Sequence, residues 1–229
     1  GIAVCNDGSL IIADSGNRRI RKISPNGVVT TVAGSGVFGF ADGSAAEAQF
    51  RCPFDVAVHT DGSIVVTDSD DHRIRLISPL GVVTTLAGSE DYGFADGSAA
   101  EARFMYPYGV TVCPDGAVLV CDQSNCRIRR IAADGAVSTV AGSAANGHLD
   151  GIGGAATFRY PTSIAVDTAG HAVVGEYDGC IRKIKLATGE VTTVGNGFGP
   201  KLAIDQNSNI VFAIAGRNDT ISRLTGSLG

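Results

Sequence analysis

The stretch GVVTTVAGS at residues 27–35 returns as GVVTTLAGS at residues 81–89 and as GAVSTVAGS at residues 135–143. A second stretch, GFADGSAAEA, occupies residues 39–48 and recurs unchanged at residues 93–102. Both stretches repeat at a spacing of 54 residues. A fixed period of this length is typical of repeat proteins in which each copy forms one supersecondary unit. The sequence therefore predicts one domain of tandem copies, at about residues 1–54, 55–108, 109–162 and 163–200, with a truncated copy at 201–229.

Each copy contains four β-type runs separated by turn residues. In the first copy the runs cover residues 1–5, 10–13, 19–24 and 28–33. Asp7-Gly8 and Asn26-Gly27 supply the positive φ that tight hairpin turns require. These features predict an all-β fold, a β-propeller of four-stranded antiparallel blades with about five visible repeats. The alternative, a β-sandwich of regularly spaced strands, does not explain why strand order and turn type recur in register.

The repeat count also predicts an incompletely closed ring. The first three strands occur five times, whereas the outermost strand occurs four times. An unpaired strand edge promotes aggregation, so something should cover it. We expect the missing strand to come from residues upstream of Gly1 or from another chain. That chain could be a second copy of this protein, in which case the protein self-associates. Since no initiator methionine or leader signature is visible, we interpret the sequence as a piece of a longer protein.

The run ADSGNRRIRKI at residues 13–23, followed by GVVTTVAG at residues 27–34, resembles the NHL-repeat family of β-propellers. Residues 39–53 are similar to a subset with a Gly-x-x-Asp-Gly-x4-Ala-x-Phe-x-x-Pro insertion. The resemblance implies blades around a central channel, with the first strand of each blade innermost, and a usual number of six blades. Such relatives include RNA-binding regulators, extracellular sensors, adhesion-type scaffolds and a metal-dependent amidating lyase, so the fold alone does not select a function.

The insertions also contain a helix-like segment. Residues 44–50 and 98–104 are rich in alanine and other helix formers, and Asp42 or Ser44 could cap the first turn. Pro53 and Pro107 follow a few residues later and would end a helix. We expect one or two helical turns in each insertion.

Composition and charge exclude several classes of protein. A hydrophobic content of 44% with 18% charged residues is incompatible with disorder, and no apolar run is long enough to cross a membrane. The net charge of −5 makes nucleic acid an unfavourable partner. The six cysteines lack zinc-site spacing, which favours free thiols, no thiolate-bound metal and no cofactor. Unpatterned cysteines favour an intracellular location, but the sequon at Asn218 leaves secretion open.

One side of the predicted propeller should carry the insertions and the loops after the second strands, because strands alternate in direction. Acidic residues on this side outnumber basic ones by two to one, which disfavours an RNA-binding face. The aromatic rings of Phe40 and Phe94, with His148 at the matching place, either pack on a neighbouring blade or anchor a partner. The candidate partner-binding residues are Phe40, Asp42, Phe94, Asp96, His148 and Asp150.

Arginine recurs in the third strand of each copy. An aspartate closes the preceding strand, so charge-assisted pairs within or between blades are expected. The residues concerned are Asp14, Asp68, Asp122, Arg21, Arg75 and Arg129. A basic ring that binds a ligand is the alternative.

No catalytic residue is predicted. The four histidines occupy unrelated repeat positions, and His72 is expected in a solvated loop. Residues 68–71 resemble a calcium loop but lack its glycine and glutamate, so calcium is a weaker alternative. The sequence favours a non-enzymatic scaffold or recognition propeller that binds a protein through the insertion side. One alternative is a lyase-like, metal-dependent enzyme at the channel mouth, with carboxylates such as Asp14, Asp68 and Asp122. Another is an RNA-binding NHL module.

Overall fold

The computed structural model describes residues 1–196 and 202–204, and the backbone of two further strands at residues 210–214 and 220–224. Its antiparallel four-stranded sheets are arranged as a β-propeller. This confirms the predicted all-β fold class. The sequon at Asn218 lies outside the described residues.

Each of four complete blades uses four consecutive strands, paired in chain order. Blade one contains β1 (Ile2–Val4), β2 (Leu10–Asp14), β3 (Arg19–Ile23) and β4 (Val29–Ala33). Blade two contains β6 (Pro53–Val58), β7 (Ile64–Asp68), β8 (Arg73–Ile77) and β9 (Val82–Gly88). Blade three contains β10 (Pro107–Val112), β11 (Val118–Asp122), β12 (Arg127–Ile131) and β13 (Val137–Gly142). Blade four contains β15 (Pro161–Val166), β16 (His171–Glu176), β17 (Cys180–Lys185) and β18 (Glu190–Asn196).

A fifth sheet pairs β19 (Leu202–Ile204), β20 (Ile210–Ile214) and β21 (Thr220–Leu224). Among the described strands, the first three positions therefore occur five times and the outermost position four times, as predicted. In the first copy the predicted strand ends differ from the observed ends by at most one residue. This agreement follows from local chemistry, because Gly8 and Gly27 adopt the positive φ that their hairpins require.

The insertions pair with the blade that follows them. β5 (Gly43–Ser44) pairs antiparallel with β9, and β14 (Gly151–Ile152) pairs with β18. Gly97 makes the equivalent bridge to Val137 in blade three. Each insertion thus adds short outer pairing to the next blade and covers part of its edge.

The helical segment predicted in each of the first two insertions is limited to a single turn. Residues 44–50 form a single turn in which the N–H groups of Glu47 and Ala48 donate to the carbonyl of Ser44, at 3.0 and 2.9 Å. The chain then reverses, and Gln49 N–H donates to Ala41 O at 3.1 Å. This reversal delivers Phe50 to the core, where it is fully buried. Tertiary packing therefore overrides a segment too short to sustain a helix by propensity.

The hydrophobic core lies between neighbouring blades. Three clusters fill the gaps between blades one and two, two and three, and three and four. Each cluster contains one fully buried phenylalanine from an insertion, namely Phe50, Phe104 or Phe158. The insertions are therefore part of the core as well as of the surface.

The first strands of the sheets line a central channel. A cavity of about 810 Å³ is bounded by residues of β1, β6, β10, β15 and β19. The first strand of each blade is thus innermost, as the family resemblance implies. Asp55 is a buried carboxylate in this lining, and it accepts a hydrogen bond from Val110 N–H at 3.2 Å.

At Gly142, the last residue of β13, the backbone passes close to the neighbouring turn at Cys126. Its φ is +101°, and a Cβ atom there would lie 2.4 Å from the carbonyl oxygen of Cys126. Gly116 has a similar φ of +83° but open space around its Cα. We expect Gly116→Ala to lower the free energy of unfolding by about 1–2 kcal/mol, the usual cost of a left-handed non-glycine residue. Gly142→Ala should cost more because of the overlap. Equal losses in urea denaturation would contradict this packing.

Four of the six cysteines, Cys113, Cys121, Cys126 and Cys180, are buried. Burial raises the pKa of Cys113 to about 11, so this thiol stays protonated at neutral pH. Within the described part of the chain, no helix combines the length and apolar character required to cross a membrane.

Candidate functional site

The insertions and the turns after the second strands lie on one side of the propeller. We call this side the insertion face, formed by residues 35–52, 89–106 and 143–160 together with the turns at 15–18, 69–72, 123–126 and 176–179. The first three turns are short 3-10 helices that end in a residue with left-handed backbone, Arg18, His72 or Cys126. Such a turn lets the chain reverse within a few residues between β-strands.

A fully buried arginine in the third strand holds each insertion. In blade three, Arg129 donates to Asp122 at 2.7 Å and to Asp96 at 2.6 Å. Its guanidinium also donates to the carbonyls of Ala95 and Arg103, at 2.6 and 3.0 Å. A planar guanidinium suits this role because it presents several donors in a rigid geometry. Arg129 thus ties the insertion to the strand end of the same blade.

Blades two and four repeat the arrangement. Arg75 donates to Asp42 at 2.6 Å, and its Nη1 lies 3.6 Å from Asp68. Arg182 donates to Asp150 at 2.8 Å and to Glu176 at 2.9 Å. The carboxylates of Asp42, Asp96 and Asp150, which the sequence suggested as partner-binding groups, are therefore already paired with buried arginines.

Blade one differs from the other three. Arg21 donates to the hydroxyl of Thr31, while Asp14 accepts from Asn17 at 2.9 Å. The predicted pairing of Arg21 with Asp14 is thus replaced by two local contacts. In the other blades the guanidinium also donates to a carbonyl of the preceding insertion, that of Ala41, Ala95 or Leu149.

Burial raises the pKa of Asp122 to about 6, against the opposing effects of the Met105 N–H donor and the Arg129 charge. The pKa of Asp68 is raised to about 6 for the same reason, although it accepts from Arg51 and Cys52 N–H groups. Because a pKa of about 6 lies below neutral pH, both carboxylates are mostly ionised there, and their charges neutralise the buried arginines.

The two insertion phenylalanines of the candidate set lie over arginine side chains. The Arg73 guanidinium is 3.9 Å from the Phe40 ring centroid, and that of Arg127 is 3.9 Å from the Phe94 ring. The rings still expose 39% and 46% of their surface. They therefore pack on the neighbouring blade with one face and reach solvent with the rest.

His72 is buried, and its predicted place in a solvated loop is wrong. Its ring packs against Tyr106 at 4.8 Å and against Tyr92 at 5.4 Å, and its Nδ1 accepts from Tyr106 N–H at 3.2 Å. Burial lowers the pKa of this imidazole. The sequence carried no signal for this contact, because the tyrosines lie in the next insertion.

His148 takes the position of Phe40 and Phe94 but makes different contacts. Its Nδ1 lies 2.8 Å from Glu176, and its Nε2 lies 2.9 Å from Asp178. Cys180 is also close, and with His148 and Glu176 it forms the group of potential metal ligands found among the described residues. Among the described residues, Asp14, Asp68 and Asp122 do not form such a group, and each carboxylate bonds to a side chain of its own blade.

Exposed aromatic side chains concentrate on the insertion face. They lie in the insertions, just ahead of the first strands, or in the turn after the second strand of blade four. The set is Phe38, Phe40, Tyr92, Phe94, Tyr106, Tyr160 and Tyr177. Tyr106 and Tyr160 have φ values of +51° and +49°, an uncommon backbone for bulky residues. Strained backbone of this kind clusters at functional sites.

Two segments of the chain match the NHL repeat. The family model matches residues 50–75 and 104–131, which run from the end of an insertion through the third strand, or nearly through it, in blades two and three. Sequence relatives include the protein SUPPRESSOR OF QUENCHING 1, chloroplastic, of Arabidopsis thaliana, 38% identical over 95 residues. That match covers 41% of this chain and 9% of the plant protein.

A further relative is the E3 ubiquitin-protein ligase NHLRC1 of Rattus norvegicus, 28% identical over 135 residues. The match covers 58% of this chain and 29% of the ligase. The chain therefore spans less than a third of the length of either relative. Neither match confirms the specific insertion motif.

Among solved structures, virginiamycin B lyase from Staphylococcus aureus resembles this chain with a TM-score of 0.61. The match covers 98% of this chain and 68% of the lyase, at 17% sequence identity. At that identity the similarity is evidence for the fold alone.

Proposed function

We propose that this protein is a non-enzymatic recognition propeller that binds a protein partner through the insertion face. The observation that carries the proposal is the concentration of exposed aromatic rings on that face. Aromatic side chains are enriched at protein interfaces and depleted elsewhere on soluble surfaces. An apolar area with a polar rim is the usual form of an interaction site.

The buried arginines support this role. Because Arg75, Arg129 and Arg182 hold the insertions to the blades, the exposed rings are carried on fixed backbone. A preorganised surface loses little conformational entropy on binding. The candidate anchors from the sequence that keep exposed apolar surface are Phe40 and Phe94. The acidic character of the face favours a partner with basic residues around an apolar centre.

The comparisons fit a binding role without assigning one. NHLRC1 is named as a ubiquitin ligase, and the segment that matches this chain is 29% of that protein. The lyase shares the fold, but Asp14, Asp68 and Asp122, which the alternative enzyme would need as one site, do not form a group of potential metal ligands among the described residues. The protein-binding proposal therefore uses groups that are exposed, whereas the enzyme alternative would use groups already paired with arginine, asparagine or backbone donors.

Removing two exposed rings tests the proposal. The double variant Tyr92→Ala, Tyr177→Ala deletes side chains that are 64% and 72% exposed. The control is Leu80→Ala, since Leu80 is 92% exposed at the hairpin between β8 and β9 on the opposite side. Loss of two interface anchors should weaken binding at least tenfold, as expected for aromatic hot spots.

The measurement is quantitative affinity capture on the immobilised protein, followed by titration of each captured protein against the three forms. We expect a partner that binds the wild type and Leu80→Ala equally and the double variant at least tenfold more weakly. Partners that bind all three forms with equal affinity would contradict the proposal. So would partners lost only with Leu80→Ala.

A further inference from the structure

Blade four departs from blades two and three at two positions at once. Arg73, Arg127 and Cys180 each begin the third strand of their blade and pair with Gly88, Gly142 and Asn196 respectively, so they are equivalent. In blades two and three the arginine stacks on an insertion phenylalanine. In blade four His148 replaces the phenylalanine and Cys180 replaces the arginine. At these two positions blade four therefore carries side chains of the kinds that bind metal ions, in place of the stacked arginine and phenylalanine.

These two residues meet a third potential ligand. One nitrogen of His148, the Sγ atom of Cys180 and a carboxylate oxygen of Glu176 lie within 4.8 Å of one another. Glu176 is fully buried, and its Oε2 is 2.8 Å from His148 Nδ1. We propose that His148 Nδ1, Glu176 and Cys180 bind a Zn²⁺ ion on the insertion face.

The ligand set suits zinc. Thiolate, imidazole and carboxylate are its usual protein ligands, whereas calcium and magnesium prefer oxygen alone. A tetrahedral ion with Zn–N and Zn–O bonds of about 2.0–2.2 Å separates adjacent ligand atoms by roughly 3.3 Å. The 2.8 Å contact between His148 and Glu176 therefore has to open by only a few tenths of an ångström. A thiolate and a carboxylate together neutralise the charge of the ion.

The surroundings of the three ligands match those of zinc sites. Asp178 lies 2.9 Å from His148 Nε2, the nitrogen that the ion would leave free. A carboxylate at that nitrogen fixes the tautomer and orientation of a zinc-bound histidine. Arg182 donates to Glu176 Oε1 at 2.9 Å, whereas Oε2 accepts the Arg159 N–H at 3.0 Å and faces the histidine. A cavity of about 340 Å³, lined by His148, Asp178, Cys180, Thr193 and Asn196, leaves room for water as the fourth ligand.

The ion would join the third insertion to blade four. His148 lies in the insertion, while Glu176 and Cys180 lie at the ends of β16 and β17. In blades two and three the arginine–phenylalanine stack makes the same connection. Zinc binding should therefore raise the thermal stability of the protein as well as being measurable directly.

The test uses the purified chain, stripped of metal and titrated with ZnCl₂ against a chromophoric chelator, and separately loaded with Co²⁺. We expect one zinc ion per chain, an increase in melting temperature, and a cobalt spectrum with thiolate-to-metal charge transfer and tetrahedral bands. His148→Phe, which restores the residue of the sister copies, and Cys180→Ser should each abolish stoichiometric binding. Asp178→Asn should weaken it about 10–100-fold, the usual effect of losing a histidine's outer partner.

Cys5→Ser is the control, because it removes a thiol in blade one and leaves the ligands in place. It should bind zinc as the wild type does. Circular dichroism of each metal-free variant separates loss of binding from loss of fold, and His148→Phe keeps a residue that blades two and three accommodate. Absence of stoichiometric zinc binding in the wild type would overturn the proposal. Binding that survives both His148→Phe and Cys180→Ser in folded protein would overturn it as well.

Discussion

Arg129→Met is expected to lower the free energy of unfolding by about 3–5 kcal/mol, the usual cost of removing one partner of a buried ion pair. The substitution leaves Asp122 fully buried without the guanidinium that donates to it at 2.7 Å. It also removes the guanidinium bonds to the Ala95 and Arg103 carbonyls, which then keep only the backbone bonds that these two residues make to each other. Urea denaturation measures the loss. Arg130→Met is the matched control, since Arg130 is on the same strand but partly exposed, and its surface pair with Asp115 should contribute less than about 1 kcal/mol.

The loss should grow as the pH rises from about 5 to about 8. The folded-state pKa of Asp122 is about 6, above its ordinary value of 3.8, so the stability that this proton contributes is present below pH 3.8 and lost as the pH rises through 6. Without the Arg129 charge the folded pKa rises further. The free energy of unfolding of the variant therefore continues to fall above pH 6. In the wild type, the stability contributed by the Asp122 proton is already lost at that pH. A pH-independent difference, or one equal to that of Arg130→Met, would contradict the role assigned to Arg129.

Phe104→Ala is the second change with a large expected effect, a loss of about 3–5 kcal/mol in the free energy of unfolding. Phe104 is fully buried in the cluster between blades two and three, and its ring lies 4.9 Å below the Arg129 guanidinium. Truncation would leave a cavity at the point where the insertion joins both blades. Denaturation in urea, with the slope of the transition checked for constancy, measures the cost.

Phe94→Ala is the control from the same insertion. Its ring is 46% exposed and contributes mainly through stacking on Arg127, so we expect a loss of about 0.5–1 kcal/mol. If the two variants were equally destabilised, the insertion would not pack through Phe104 as the structure shows. A difference of several-fold would support the insertion as part of the core.

Much of the fold could be predicted from the sequence because its determinants are local. Strands and hairpins follow from apolar runs and from glycines such as Gly8 and Gly27 that adopt positive φ. The helical segments predicted at residues 44–50 and 98–104 are limited to a single turn each, because their signal, an alanine-rich composition, is local but weak. Burial of Phe50 and Phe104 stabilises a single turn followed by a reversal instead.

The candidate site was predicted less completely. The recurrence of arginine suggested structural pairs, and Asp122 with Arg129 lies at 2.7 Å. The sequence did not reveal that Asp96 is a second acid on the same guanidinium. Spacing rules for zinc sites also do not select His148, Glu176 and Cys180, the ligands of the proposed zinc site, because these residues come from an insertion and two strand ends. The usable signal was the simultaneous replacement of phenylalanine and arginine in one copy.

The sequence by itself determined the period of 54 residues, the strand order and the side from which the insertions emerge. These properties depend on neighbours along the chain, through turn chemistry and alternation of strand direction. Only the tertiary structure decided which side chains became buried or met across blades. His72 is buried by tyrosines of the next insertion, and Asp42 accepts a hydrogen bond from the buried Arg75. Such contacts depend on how adjacent blades pack, since a buried charge must find its partner wherever the fold brings one within reach.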